Sequence, residues 1–155
     1  MRLTASAFQD HGSIPRKYTC EGADVSPPLT IEAVPAGTKS LALIVDDPDA
    51  PDPAAPKMTW VHWVLYDLPP DTFDLPEGLA SSALQALDGL NDWKQTGYRG
   101  PCPPIGRHRY FFKLFALDAR LGDLRRPTSA QLQSAFAGRL LAEAQLIGLY
   151  AKGHT

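Results

Sequence analysis

The chain has 155 residues and a mass of 16.9 kDa, the size of one domain with one core. Fifteen Lys and Arg stand against seventeen Asp and Glu, for a net charge of −2, and 44% of residues are apolar. This composition excludes a disordered or collagen-like chain and argues against a nucleic-acid binder working through bulk positive charge. No stretch of about 18 apolar residues is present, so no transmembrane segment is expected. The first ten residues lack the apolar run of roughly 7–15 residues that a secretory signal needs, which points to a cytoplasmic protein. Fifteen prolines, about twice the usual share, predict many turns and few long helices.

In chain order, Leu29–Val34 and Ser40–Val45 read as two neighbouring strands joined by a turn at Pro35-Ala36-Gly37-Thr38. Asp46–Pro56 carries four prolines in eleven residues and is expected to be neither helix nor central strand. Met58–Leu68, if extended, places Trp60, His62, Val64 and Tyr66 on one face and Val61, Trp63 and Leu65 on the other, as in a central strand buried on both sides. Pro69–Pro104 has little periodicity and reads mostly as loop, and a loop of that length in a small domain tends to be functional. Arg107–Leu117 is a second long strand with His108, Tyr110, Phe112 and Leu114 on one face. Thr128 and Gln131 form a capping-box pattern for a helix running to about Ala142. The tail from Glu143 to Lys152 alternates as a final strand. The expected fold is an antiparallel β-sandwich of two sheets with a C-terminal helix, as one domain over 1–155.

Four groups of residues could carry chemistry. His62 and His108 each interrupt an apolar strand, and a buried imidazole must find partners. His11 and His154 read as surface residues. Asp46-Asp47-Pro48-Asp49-Ala50-Pro51 places three carboxylates on a stiff segment where X-Pro bonds can be cis, although Asp and Pro also serve plain turns. Gly100-Pro101-Cys102-Pro103-Pro104-Ile105-Gly106 could form a pocket wall with little side-chain entropy to lose, or a tight connection. Cys20 and Cys102 are too few for a disulfide framework, lack the spacing of a zinc or redox motif, and leave their pairing undecided.

Together, Asp47-Pro48-Asp49-Ala50-Pro51, Trp60-Val61-His62-Trp63 and Gly100-Pro101-Cys102-Pro103-Pro104 followed by Gly106-Arg107-His108-Arg109-Tyr110 resemble the phosphatidylethanolamine-binding protein family. The likeness is to its bacterial and archaeal, Raf-kinase-inhibitor-like branch. Tyr18-Thr19-Cys20, Ser26-Pro27-Pro28-Leu29, Pro35-Ala36-Gly37-Thr38 and Asn91-Asp92 extend it over nearly the whole chain. The resemblance implies a two-sheet sandwich with a small anion pocket at one end, binding phosphate or phosphorylated head groups. It assigns that pocket to Asp47, Asp49, Trp60, His62, Cys102, Pro103, Pro104, His108 and Tyr110, and marks Pro48 and Pro51 as cis-proline candidates. It also implies that Cys20 and Cys102 approach each other, and it points to a homodimer.

A phosphate monoester has a second pKa near 6, so its monoanion can accept from His62 or His108 and donate its remaining proton to Asp47. Alternatively Asp47 orients and charges a histidine. Binding would then weaken as pH rises toward 8. The expected function is a non-enzymatic binding protein for a small phosphorylated ligand or a phosphorylated protein partner, with no cofactor and no metal. Two rivals use the same residues: an inhibitor of a protease or kinase acting through a surface loop, and a hydrolase or metal-binding protein built on the Asp/His cluster, with Cys102 as a nucleophile if its thiol were acidic. No G-x-S-x-G or H-E-x-x-H pattern supports the hydrolase.

Overall fold

Strands account for most of the regular structure in the computed structural model, which describes residues 1–153. They are β1 (Arg2–Ala5), β2 (Gly12–Ser13), β3 (Leu29–Glu32), β4 (Ser40–Ala50), β5 (Met58–Leu68), β6 (Asp74–Leu75), β7 (Leu87–Asp88) and β8 (His108–Leu117), then the helix α1 (Ser129–Ala135) and β9 (Leu140–Tyr150). One sheet has the order β1-β3-β6; the other has the order β2-β9-β8-β4-β5-β7. Neighbours are antiparallel except β2 and β9, which run parallel. The fold is therefore the expected mainly β sandwich, with its helix placed before the last strand.

The large sheet is apolar on both faces because it is covered on both. Leu41, Leu43 and Val45 of β4, Trp63 and Leu65 of β5, and Tyr110, Phe112 and Leu114 of β8 meet Leu3, Leu29, Ile31 and Leu75 of the small sheet in the inner core. On the opposite face Ala42, Ile44, Val64, Tyr66, Phe115 and Leu117 pack under Leu132 and Phe136. Burying each of the larger aliphatic and Phe side chains contributes roughly 1.5–3 kcal/mol, so this two-sided burial is the main support of the central strands.

Several expectations change in detail. β3 and β4 are not neighbours; they lie in different sheets, and Pro35–Thr38 carries the chain across the sandwich. β4 does not stop at Val45 but continues through the Asp-Pro segment to Ala50, with Asp47 opposite Trp60 and Ala50 opposite Met58. Pro48 is tolerated there because it pairs in neither ladder: that to β8 ends at Asp46, and that to β5 slips between Asp47 and Ala50.

The capping box forms, with the Thr128 hydroxyl accepting from the Gln131 amide and the Gln131 side chain accepting from the Thr128 amide. The helix, however, ends at Ala135 and not near Ala142. Gly138 turns at φ +80, a conformation that suits glycine, and β9 starts at Leu140 with its first two leucines exposed.

Candidate functional site

The alternation of β5 breaks where the pocket begins. Val45 pairs with Trp63, but Asp46 pairs with Val61, so His62 is an extra residue in the ladder. Such a bulge re-aims side chains. As a result Val61 packs with Val64 and Tyr66 on the outer face, whereas Trp60 and His62 line a pocket at the end of the inner face. Sequence alternation alone had placed His62 with Val64 and Tyr66.

The pocket has a volume of about 260 Å³ and is lined by Asp47, Ala50, Pro51, Met58, Trp60, His62, Trp93, Cys102, Pro103, Pro104, His108 and Tyr110. Eight of the nine predicted site residues are brought together there. The exception is Asp49, whose carboxylate is taken up by Arg109: it accepts from the Arg109 amide at 2.9 Å and from the guanidinium Nε and a terminal nitrogen at 3.0 and 2.9 Å. That fork holds the Asp49 carboxyl below the usual carboxylate range. Asp49 thus fastens the end of β4 to the start of β8 behind the pocket. Of the two proline candidates, Pro51 follows a cis bond and Pro48 does not.

Sequence reasoning missed Trp93. Its ring stands edge-on to Trp60 at 5.5 Å and to His62 at 5.0 Å, closing one wall. The signal was present in Asn91-Asp92. The Asn91 side chain accepts from the Trp93 and Gln95 amides and donates to the Gly97 carbonyl, folding the loop around itself, while the Asp92 carboxylate accepts from the Val61 amide at 2.7 Å. A lone Trp beside such a knot is held, not adrift. Arg99 stacks on the back of the same ring, its guanidinium 4.9 Å from the centroid.

The two histidines have different roles. His108 is buried between two acceptors: Nδ1 donates to the Asp47 carboxylate at 2.5 Å and Nε2 to the Ile105 carbonyl at 2.8 Å. Both nitrogens are used within the protein, which corrects the expectation that His108 donates to a ligand. Burial pushes the Asp47 carboxyl up, opposed by the bond from His108 and by the Asp49 amide.

His62 donates from Nδ1 to the Arg99 carbonyl at 2.6 Å, and its Nε2 has no protein partner among the described residues. Burial drives its pKa down to about 4, against the pull of the Arg99 and Gly100 backbone. Between them, the Tyr110 hydroxyl is buried and makes no hydrogen bond. Burial, reinforced by Asp47, raises that phenol far above its ordinary value, so it remains a donor. The remaining walls are largely apolar.

Cys102 is joined to Cys20 in a disulfide. This removes the thiol that the hydrolase alternative offered as one nucleophile. Of the other histidines, His11 is exposed and pairs with Asp10, and His154 lies outside the described residues. Among the described residues no three His, Cys, Asp or Glu side chains are placed to hold one metal ion, and no helix is long and apolar enough to cross a membrane.

The His62 environment makes a pH prediction. The unfolded chain takes up a proton on this ring near pH 6.5 and the folded protein only near 4, so its contribution is complete above about 6.5 and is lost as pH falls toward 4, by up to about 3 kcal/mol. The raised carboxyls of Asp46 and Asp47 act with the opposite sign, favouring the fold at low pH. Urea unfolding of wild type and His62→Gln at pH 7.5 and 4.5 isolates the histidine: the variant is expected to lose less stability on acidification, and equal losses would contradict this environment.

Comparison with known proteins agrees with the geometry. Residues 4–151 match the family model described as phosphatidylethanolamine-binding protein. A UPF0098 protein of Methanothermobacter thermautotrophicus is 48% identical over 99% of this chain and 100% of its own length. Among solved structures, a phosphatidylethanolamine-binding protein homologue from Chlamydia trachomatis is 43% identical, covers 97% of each chain and superposes with a TM-score of 0.90. YbcL of E. coli, described as a new member of the mammalian family, is 30% identical over 96% of each chain, with a TM-score of 0.85. On the sequence motifs, the sandwich and these matches, the chain belongs to the phosphatidylethanolamine-binding protein family.

Proposed function

We propose that the protein is a non-enzymatic binding protein whose pocket takes a small phosphate-bearing anion, free or as part of a phosphorylated molecule. The observation that carries this reading is the buried Tyr110 hydroxyl without a partner, its ring 5.3 Å from that of His62, whose Nε2 is also free. A buried hydroxyl left unpaired costs about 1–3 kcal/mol, which a ligand oxygen repays. A phosphate oxygen accepts from Tyr110, and the proton of the monoanion, whose second pKa is near 6, is received by His62 Nε2. Asp47, already bonded to His108, then serves to hold that ring and the Pro103–Ile105 wall in place. A volume of about 260 Å³ suits a small head group. Binding is favoured over hydrolysis because the one thiol at the pocket is consumed in the disulfide, leaving no activated nucleophile beside His62.

Calorimetric titration with inorganic phosphate and with phosphoethanolamine tests the reading. Tyr110→Phe keeps the ring and removes the donor, and it is expected to weaken binding of both by about tenfold, the worth of one buried hydrogen bond to a charged group. Equal affinity in wild type and variant would overturn the assignment of Tyr110. Absence of binding to either anion would overturn the pocket's proposed ligand.

A further inference from the structure

The pocket face of His62 is set by a peptide group that is itself held from behind. The Arg99 carbonyl accepts the Nδ1 hydrogen of His62 at 2.6 Å, and the Arg99 amide donates to the His62 carbonyl at 3.2 Å. The other end of the Arg99–Gly100 peptide is the Gly100 amide, which donates to a carboxylate oxygen of Asp24 at 2.8 Å. Asp24 does not line the pocket; it lies in the loop that follows the short helical turn Arg16–Tyr18. The chain of bonds therefore runs from carboxylate to peptide N–H, through the peptide, and from its C=O to the imidazole N–H. Hydrogen bonds in series polarise one another, so a carboxylate at the N–H end makes the Arg99 oxygen a stronger acceptor.

We propose that Asp24 is a positioning residue for the pocket, acting through the Arg99–Gly100 peptide to keep the His62 proton on Nδ1 and present bare Nε2 to the ligand. The use of this device rests on the anion-binding reading above, whereas the state of His62 in the ligand-free protein does not. An imidazole with the proton fixed on Nδ1 can receive the phosphate monoanion's proton at Nε2. The bound anion's charge raises the ring's pKa, so the proton can leave the phosphate hydroxyl and the ring becomes an imidazolium donating back to the dianion. With the alternative tautomer, Nε2 already carries a hydrogen and that transfer cannot occur. Outer partners of a site histidine set its tautomer in this way.

Two observations separate Asp24 from a mere loop tether. First, the approach is built into the backbone. A Cβ on the buried Gly100 would lie 2.1 Å from the Tyr18 carbonyl and 2.6 Å from the Asp24 carboxylate, and Asp24 itself sits at φ +59, in the left-handed region. Second, the same two loops are already tied without Asp24: the Tyr98 hydroxyl donates to the Tyr18 carbonyl at 2.7 Å, the Cys20 amide to the Pro101 carbonyl at 3.1 Å, and Cys20 is bonded to Cys102. The titratable groups sharing the pocket with His62 are Asp47, its partner His108, and Tyr110. Arg99 and Asp92 flank it from the loop side.

The test reads the His62 ring nitrogens by NMR in the ligand-free protein and then titrates inorganic phosphate at pH 6 and pH 8. Wild type is expected to show His62 neutral at pH 7 with the proton on Nδ1, and phosphate binding that weakens at the higher pH. Asp24→Ala is expected to bring up the Nε2–H form, to weaken phosphate binding at pH 6 by about tenfold, and to flatten its pH dependence. Asp24→Asn keeps an acceptor for the Gly100 amide but drops the charge; it should restore the Nδ1–H form with that proton shifted upfield. Tyr98→Phe removes a tether of the same loops and should lower stability while leaving the His62 tautomer unchanged. A His62 tautomer unmoved in Asp24→Ala overturns the proposal, as does an identical change in Tyr98→Phe. If Asp24→Ala does not fold, an unshifted Nδ1 proton in Asp24→Asn overturns it instead. Should wild type bind no phosphate while Asp24→Ala still changes the tautomer, the anion reading fails and the positioning role stands.

Discussion

Replacing His108 with alanine is expected to destabilise the protein by about 3–5 kcal/mol, through the cavity left by a buried ring and the loss of its two buried hydrogen bonds. The ring is 1% exposed and Asp47 3%, and the two are joined at 2.5 Å. Removal leaves the Asp47 carboxylate with the Asp49 amide as its one donor in a site where burial already raises its pKa, and it frees the Ile105 carbonyl. The Pro103–Ile105 wall then loses its anchor, so phosphate binding should be lost even though His108 does not reach the ligand. Urea unfolding measures the first effect and calorimetry the second. A double variant, His108→Phe with Asp47→Leu, separates them: it should recover much of the stability, since an apolar pair tolerates burial, and recover none of the binding. A loss below about 1 kcal/mol in the single variant would mean that Asp47 finds water or another donor, contrary to this geometry.

The second large effect concerns the disulfide. Cys20 and Cys102 are 82 residues apart, and closing a loop of that length lowers the entropy of the unfolded chain by an amount worth about 4–5 kcal/mol. The Cys20→Ser, Cys102→Ser double variant should therefore unfold at a Tm lower by roughly 10–15 °C for a chain of this length, and reductant should bring wild type to the same value. Unchanged thermal unfolding would show that the hydrogen bonds from Cys20 and Tyr98 suffice to dock the two loops.

How much of this was legible beforehand differs by residue. β5 and β8 were plain because both faces of the large sheet are covered, which writes long apolar runs into Met58–Leu68 and His108–Leu117. The capping box at Thr128 was equally plain, being a local chemical device. What was not legible depends on partners remote in sequence. The bulge that turns His62 into the pocket exists only against β4. The strand through Pro48 survives because both of its ladders fail at that point, which no local proline rule reports. The helix stops short because the chain turns at Gly138, so that Leu140, which recurs at helical spacing after Leu132 and Phe136, opens β9 and is exposed instead of packing with them. Asp49 shares a motif with Asp47, and only the position of Arg109 shows that it faces away. The disulfide partners were implied by family likeness alone.

Binding of a phosphate-bearing anion through Tyr110 and His62 is read out by titrating the wild-type protein with inorganic phosphate while following the His62 Nε2 resonance at pH 6 and pH 8. Saturable protonation of Nε2 is expected at pH 6, with the folded-state pKa of His62 raised from about 4 by the bound anion, and weaker binding at pH 8. A His62 ring that stays neutral and unmoved at saturating phosphate at both pH values would contradict it.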